Sequence, residues 1–185
     1  HSVGCGAILH SLRNSPPDCF SQMLTHLEPR VSCTACNSLG SKPPPYGFLW
    51  RYGNRNAVGA DSIRPPEVRL THAGAVVQIA LQKVEKVYPS CRVLSYVIMP
   101  NHLHFLLEIR PVTQGGRQIA APTVIGQFKR QVSRELGYSL WQKGCYDHII
   151  RDEDDYLNKC RYIEENPAKW ADDPYYNNSL PLIHI

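Results

Sequence analysis

The amino-acid sequence predicts an α+β domain in which helices pack on one antiparallel sheet. The segment His102–Ile109 alternates bulky apolar residues with other residues, which is typical of a β-strand. A turn at Pro100-Asn101 separates it from an apolar, strand-like run, so a hairpin is expected. Apolar residues recur at helical spacing before and after this hairpin. The predicted order of elements is helix, hairpin, helix, short strand and closing helix. This order suits an antiparallel sheet covered by helices.

Length and composition leave the broad function class open. The chain has 185 residues and a formal net charge of +4. That length suits one domain with a real core, and the mild positive charge is compatible with nucleic-acid binding without requiring it. The sequence has no apolar run near the roughly 18 residues that span a membrane. The first residues do not resemble a signal peptide. We therefore expect a cytoplasmic protein with reduced cysteines.

Residues 1–65 are expected to form a poorly ordered or irregular extension, residues 66–172 the folded domain and residues 173–185 a C-terminal tail. Proline clusters interrupt the first region, and they are Pro16-Pro17, Pro43-Pro44-Pro45 and Pro65-Pro66. Residues 48–52 are its candidate strand. Cys33 and Cys36 form a lone CxxC, which is a poor zinc site without a second Cys/His pair.

A first helix is predicted from Thr71, a suitable N-cap, to Pro89. Its apolar residues at helical spacing are Val76, Val77, Ala80, Val84 and Val87. Residues 92–99 are β-branched and apolar, and they predict a buried strand. The hairpin then places His102 just after the turn, where a substrate can reach it.

Two histidines share one face of the strand His102–Ile109. Alternate side chains of a strand point to opposite faces, so His102 and His104 point one way while Leu103 and Phe105 point the other. Two imidazoles so placed can converge on one metal ion, because neutral imidazole is a common ligand. A strand end that happens to carry two histidines explains the spacing equally well.

After a loop at residues 111–122, residues 123–136 predict a second amphipathic helix. Its apolar stripe consists of Val124, Ile125, Phe128, Val132 and Leu136. Lys129, Arg130 and Arg134 lie largely off that stripe. Three cations on a helix surface can follow a phosphate backbone. An ordinary solvated helix face accounts for them as well.

Residues 146–151 predict a short strand that leads into the last helix. Tyr146 and His148 share a face because they lie two residues apart. His148 can be a DNA contact or a buried, hydrogen-bonded histidine, and the second interpretation is favoured. Tyr146 is a second candidate nucleophile, but no amide side chain lies one helical turn away from it.

The last helix is predicted to begin near residue 152 and to end at Asn166, because Pro167 disfavours helical backbone before it. Its first turn is acidic, which suits the helix dipole, with Asp152, Glu153, Asp154 and Asp155. Its apolar stripe consists of Tyr156, Leu157, Cys160 and Ile163. Tyr162 and Asn166 lie four residues apart off that stripe, on the same side as Asp155 and Lys159. Taken alone, this pattern also fits a surface tyrosine near a helix end.

Two stretches, MPNHLHFLLEI at residues 99–109 and YDHIIRDEDDYLNKCRYIEENP at residues 146–167, resemble the single-tyrosine HUH nucleases. More narrowly, they resemble the REP-associated tyrosine transposases and their insertion-sequence 200/605-type relatives, over roughly residues 70–170. The resemblance implies a ferredoxin-like α+β arrangement with the two histidines on the central strands. The family normally opens with a strand rich in aromatic and β-branched residues, and residues 48–52 are the candidate for it.

The resemblance also implies a chemistry. Tyr162 is the expected nucleophile, and His102, His104 and Asn166 are the expected ligands of Mg²⁺ or Mn²⁺. The expected substrate is single-stranded DNA folded into hairpins, which such enzymes cut and rejoin through a 5′-phosphotyrosine intermediate. The expected DNA contacts are Lys129, Arg130, Arg134, His148 and Lys159. Relatives occur as monomers or homodimers, and the sequence does not choose between them.

Two other functions fit the same residues. A decayed or domesticated copy would bind hairpin DNA without cutting it, and the weak first strand favours that reading. A metallohydrolase would activate water instead of a tyrosine, and it would form no covalent intermediate.

Overall fold

The computed structural model describes residues 30–37, 49–52, 68–112 and 118–169. Those residues form six strands and four helices. The strands are β1 Arg30–Asn37, β2 Trp50–Tyr52, β3 Val68–Leu70, β4 Cys91–Ile98, β5 His102–Ile109 and β6 Tyr146–Ile150. The helices are α1 His72–Gln82, α2 Val84–Val87, α3 Ala121–Leu136 and α4 Glu153–Glu165.

One four-stranded sheet organises the domain, in the order β4-β5-β1-β6. Every neighbouring pair in it is antiparallel. The predicted α+β class, an antiparallel sheet with helices packed on it, is therefore confirmed. Strand β5 has a neighbour on each side, so the two histidines lie on a central strand as expected.

Strand β1 corrects the expectation that residues 1–65 form an irregular extension. Its eight residues pair with β5 on one side and with β6 on the other, so the sheet includes chain upstream of the predicted boundary. Ser32 and Thr34 are buried in it although both are polar. Such a strand gives a faint sequence signal, because pairing and burial between two neighbours override low β-propensity. Residues 1–29, 38–48 and 53–65 of that region, and the predicted tail at residues 173–185, lie outside the described part of the chain.

The candidate strand at residues 48–52 has a different partner from the one expected. Trp50–Tyr52 does form strand β2, but β2 pairs with β3 in a separate two-stranded ribbon. It therefore does not supply the missing strand of the main sheet. Leu49, just before β2, donates its N–H to the Pro100 carbonyl at 2.7 Å, which ties this segment to the turn before His102.

The first helix is shorter than predicted. Thr71 caps α1 by accepting a hydrogen bond from the Gly74 N–H at 3.2 Å, as expected of an N-cap. The helix ends at Gln82, and the short helix α2 follows it. The hairpin of β4 and β5 is confirmed, and a backbone bond from Met99 N–H to the His102 carbonyl, at 2.8 Å, closes its turn.

The two faces of the sheet carry different helices. On one face, the Phe105 ring contacts Phe128 of α3 with centroids 5.9 Å apart, and α1 packs beside α3. On the other face, the His104 ring contacts Tyr162 of α4. Because side chains alternate along β5, the core under α1 and α3 is separated from the histidine face under α4.

Candidate functional site

The register of the sheet fixes which side chains surround the histidines. His104 of β5 lies opposite Val97 of β4 and Ala35 of β1. Directly opposed residues of antiparallel strands share a face, so these small and branched side chains flank the imidazole. The rings of His102 and His104 meet edge-on, with centroids 4.9 Å apart and planes at 79°.

Asn101 orients the first histidine. Its side-chain oxygen lies 2.6 Å from His102 Nδ1, so that nitrogen carries the proton and donates. A neutral His102 then carries its lone pair on Nε2, the nitrogen that faces Asn166. A partner on the second nitrogen commonly fixes ligating histidines in this way. Sequence reasoning assigned Asn101 to the turn and missed this role.

Asn166, the third expected ligand, lies close to His102. It is the C-cap of α4, is only 7% exposed, and donates from Nδ2 to the Tyr162 carbonyl at 3.3 Å. Its Oδ1 lies 3.4 Å from His102 Nε2. This is the length of a long hydrogen bond. Adjacent ligands of an octahedral ion bound at about 2.1 Å lie roughly 3 Å apart, so the two atoms could also hold a cation between them.

Burial keeps the second histidine neutral. It lowers the pKa of His104 to about 3, and repulsion from a protonated His102 and from Lys159 acts in the same direction. The imidazole is thus neutral at neutral pH, and neutral imidazole is the form that binds metals. Among the described residues, no cluster of three or more His, Cys, Asp or Glu side chains could hold a metal ion.

Tyr162 lies next to this pair of histidines. Its ring meets His104 edge-on, with centroids 5.1 Å apart and planes at 90°, and the residue is 44% exposed. Lys169 Nζ lies 6.0 Å from the centre of the Tyr162 ring and pairs with Glu165 at 3.0 Å. The structure thus places an exposed phenol beside the His104 imidazole, with the Lys169 ammonium near the phenol ring. Lys169 follows Pro167, and the sequence offered no periodic signal for it.

No protein-family model matches the chain. A Haemophilus influenzae protein of unassigned function is 30% identical over 132 residues, which make up 60% of this chain and 73% of that protein. A second Haemophilus influenzae protein, provisionally named a REP-associated tyrosine transposase, is 30% identical over 83 residues. The chain is thus similar to a REP-associated tyrosine transposase over 39% of its own length. It spans about half, 47%, of the length of the second relative.

A solved structure supports the fold of this transposase-like domain. It is the structure of a REP-associated tyrosine transposase bound to a REP hairpin, and it superposes with a TM-score of 0.53 at 19% identity. The match covers 76% of this chain and 67% of that one. Every helix among the residues described here is too short or too polar to cross a membrane.

Two of the expected DNA contacts lie on the Tyr162 face of the transposase-like domain. His148 Nε2 lies 2.7 Å from Asp155 Oδ2, so His148 is hydrogen-bonded within the protein. That histidine is half-buried rather than buried, with 34% of its side chain exposed. Lys159 is also half-buried, and its charge affects the pKa of His104 and of Cys33.

The other three expected contacts lie on α3, on the opposite face. Lys129 donates to the carbonyls of Gln142, at 3.1 Å, and Gly144. Its ammonium also lies 5.9 Å from the centre of the Trp141 ring. Arg130 and Arg134 are exposed. The structure therefore does not bring these three cations to the histidines. If they bind DNA, they contact a part of it away from His102 and His104.

Proposed function

We propose that this transposase-like domain cuts and rejoins single-stranded DNA at hairpins, with Tyr162 as the nucleophile. The proposal includes a divalent cation, Mg²⁺ or Mn²⁺, held by His102, His104 and Asn166. One observation carries it. The Tyr162 ring lies against His104, while Asn166 Oδ1 and His102 Nε2 lie 3.4 Å apart on the same face. A candidate nucleophile and a candidate donor set therefore lie at one site.

The reaction is a transesterification. The Tyr162 oxygen attacks phosphorus, the bond to the 3′ oxygen breaks, and the phenolic proton ends on that oxygen as a 3′-hydroxyl. The product is a 5′-phosphotyrosine, and the reverse reaction rejoins strands without an external energy source. A divalent ion bound at the site would neutralise charge on the phosphate and orient that phosphate for attack. The phenol must be deprotonated to react well, because its ordinary pKa is about 10.

The proposed substrate rests on charge placement and on the neighbouring structure. Lys159 and Lys169 lie near Tyr162 and can pair with phosphates on each side of the cut. Arg130 and Arg134 would contact a more distant part of a folded DNA. The relative with a solved structure was bound to a REP hairpin, which makes a hairpin with single-stranded flanks the first substrate to test.

A covalent-adduct assay tests the proposal. The protein is mixed with Mn²⁺ and a DNA hairpin whose single-stranded flanks are randomised, and the products are separated under denaturing conditions. A 3′ label is expected to migrate with the protein and a 5′ label to be released, because the link is to the 5′ phosphate. Tyr162→Phe should abolish the adduct. Tyr146→Phe, at a tyrosine 62% exposed on β6, is the matched control and should retain it.

The same assay separates the alternatives. Hairpin binding without an adduct, unchanged by Tyr162→Phe, would indicate a non-catalytic hairpin-binding module. Strand cleavage without an adduct would indicate a metallohydrolase. An adduct lost in Tyr146→Phe and kept in Tyr162→Phe would move the nucleophile to β6.

A further inference from the structure

Helix α4 carries Tyr162 but is held to the sheet by few apolar contacts. Ile163 is its single buried residue, and Tyr156 and Cys160 are half-buried against the core. Leu157, expected in the apolar stripe, is 43% exposed, so the stripe is narrower than predicted. A helix with so little buried apolar area depends on polar contacts for its exact placement.

A polar contact joins α4 to the sheet near each of its ends. At the end of the helix, Asn166 approaches His102 of β5. At its start, Asp155 contacts His148 of β6 at 2.7 Å, with the two side chains 23% and 34% exposed. The first contact belongs to the candidate metal site. The second lies outside that site, and neither the proposed chemistry nor the proposed metal ligands use it.

The second contact is built on rigid parts. His148 lies on a strand that pairs with β1, directly opposite Cys33. Asp155 lies in a capped turn, because its N–H donates to the Asp152 carboxylate at 2.8 Å. Because the backbone around each residue is held in place, the bond between His148 and Asp155 fixes the position of the first turn of α4 over β6.

The position of this bond relates it to the nucleophile. Asp155 and Tyr162 are seven residues apart, about two helical turns or roughly 10 Å, and they lie on the same face of α4. Holding that face at Asp155 and again at Asn166 sets both the tilt and the roll of the helix between them. Tyr162 lies within this interval, so its direction depends on both supports.

We propose that His148 is a positioning residue: through its bond to Asp155 it sets the orientation of α4 and thus of Tyr162. The effect on catalysis rests on the proposed function, whereas the effect on the orientation of α4 does not. It differs from a DNA contact, because the group that His148 touches is on the protein. Loss of the bond changes the rate of the tyrosine's reaction and leaves hairpin affinity nearly unchanged.

Hydrogen exchange on the free protein tests the positioning without any reaction. His148→Ala should speed exchange of the α4 amides about tenfold while the β5 amides keep their protection, which shows that the sheet is intact. His148→Gln should restore most of the protection, because its side-chain amide can still donate to Asp155. Asp155→Asn is expected to act like a weaker His148→Ala. Asp154→Asn is the matched control, since it removes the same charge from the neighbouring exposed residue. Unchanged exchange in His148→Ala overturns the proposal.

Adduct kinetics then test the catalytic consequence. At saturating hairpin, His148→Ala should slow adduct formation about tenfold, with the hairpin Kd within twofold and with rescue in His148→Gln. A weakened Kd with an unchanged maximal rate overturns the proposal and makes His148 a DNA contact. If the wild-type protein forms no adduct at all, the proposed function fails, and the exchange result still decides whether His148 orients α4.

Discussion

His104 of the central strand and Tyr162 of the closing helix meet edge-to-face, with ring centroids 5.1 Å apart and planes at 90°. This arrangement is among the preferred geometries of aromatic pairs. The contact uses the Tyr162 ring, whereas the proposed reaction uses its hydroxyl. The two roles can therefore be separated by substitution.

Tyr162→Phe is expected to leave the melting temperature within about 1 °C of the wild type, because the ring contact with His104 survives. Tyr162→Ala removes the ring and should cost about 0.5 to 1.5 kcal/mol, or a few degrees in Tm. Tyr146→Ala, which removes an equally large but more exposed ring, is the control and should cost less. Differential scanning calorimetry measures all three. Equal losses for Tyr162→Phe and Tyr162→Ala would contradict this account of the contact.

Metal affinity should depend on a residue that is not itself a proposed ligand. Asn101→Ala removes the acceptor that holds the His102 Nδ1 proton, so Mn²⁺ should bind about tenfold more weakly. Asn166→Leu should weaken binding further by removing an oxygen ligand, and Asn166→Asp should strengthen it by adding negative charge. Calorimetric titration with Mn²⁺ alone, without DNA, measures these affinities. Equal affinity in Asn166→Leu and wild type would remove Asn166 from the donor set.

The residues of the candidate site could be predicted because their signals are local. Alternation along β5 places His102 and His104 on one face, and the helical repeat places Tyr162 and Asn166 on another. That these two faces meet came from the family resemblance, since periodicity within one element carries no information about its partner. The structure agrees with it through the contact of His102 with Asn166.

Strand β1 could not be predicted for a related reason. Its sequence, RVSCTACN, has neither aromatic residues nor the usual density of β-branched ones. Its stability comes from neighbours distant in sequence, since it pairs on both sides and buries Thr34 under a bond to Asp147 at 3.1 Å. The contacts of Lys129 could not be predicted either, because its partners lie on a loop and not on its own helix.

Gly74 is predicted to be essential for the packing of α1. A Cβ there would lie 1.8 Å from the carbonyl oxygen of Leu49, which also accepts hydrogen bonds from Thr71. Gly74→Ala should therefore destabilise the domain by about 1 to 3 kcal/mol or more. Gly126→Ala is the matched control, because a Cβ there meets nothing within 4 Å in the described structure. It should be neutral or stabilising by up to about 1 kcal/mol, since alanine favours helix. Urea denaturation compares the two.

Cys33 and Cys36 should resist alkylation in the folded protein. They lie three positions apart on one strand, so their side chains point to opposite faces and cannot share a zinc ion. Burial raises the pKa of Cys33 to about 11 and that of Cys36 to about 12. At pH 8 both are almost wholly protonated, and the thiolate is the reactive form. Exposed Cys145 is the internal control. Iodoacetamide labelling read by mass spectrometry should modify Cys145 before Cys33 and Cys36, and equal rates at these three cysteines would contradict the buried placement of β1.

Lys129 and Arg130 are adjacent in sequence but should affect different measurements. The Lys129 ammonium donates to two loop carbonyls, so Lys129→Ala leaves them unpaired and should cost about 1 to 3 kcal/mol of stability. Arg130 is exposed, and its guanidinium bonds to the Gly126 carbonyl of its own helix at 3.3 Å, so Arg130→Ala should change stability by less than about 0.5 kcal/mol. If α3 contacts DNA phosphates, Arg130→Ala instead lowers hairpin affinity and reduces its salt dependence by about one ion. Denaturation and salt titration, run on both variants, separate a loop support from a phosphate contact. A large stability loss in Arg130→Ala with none in Lys129→Ala would reverse the two assignments.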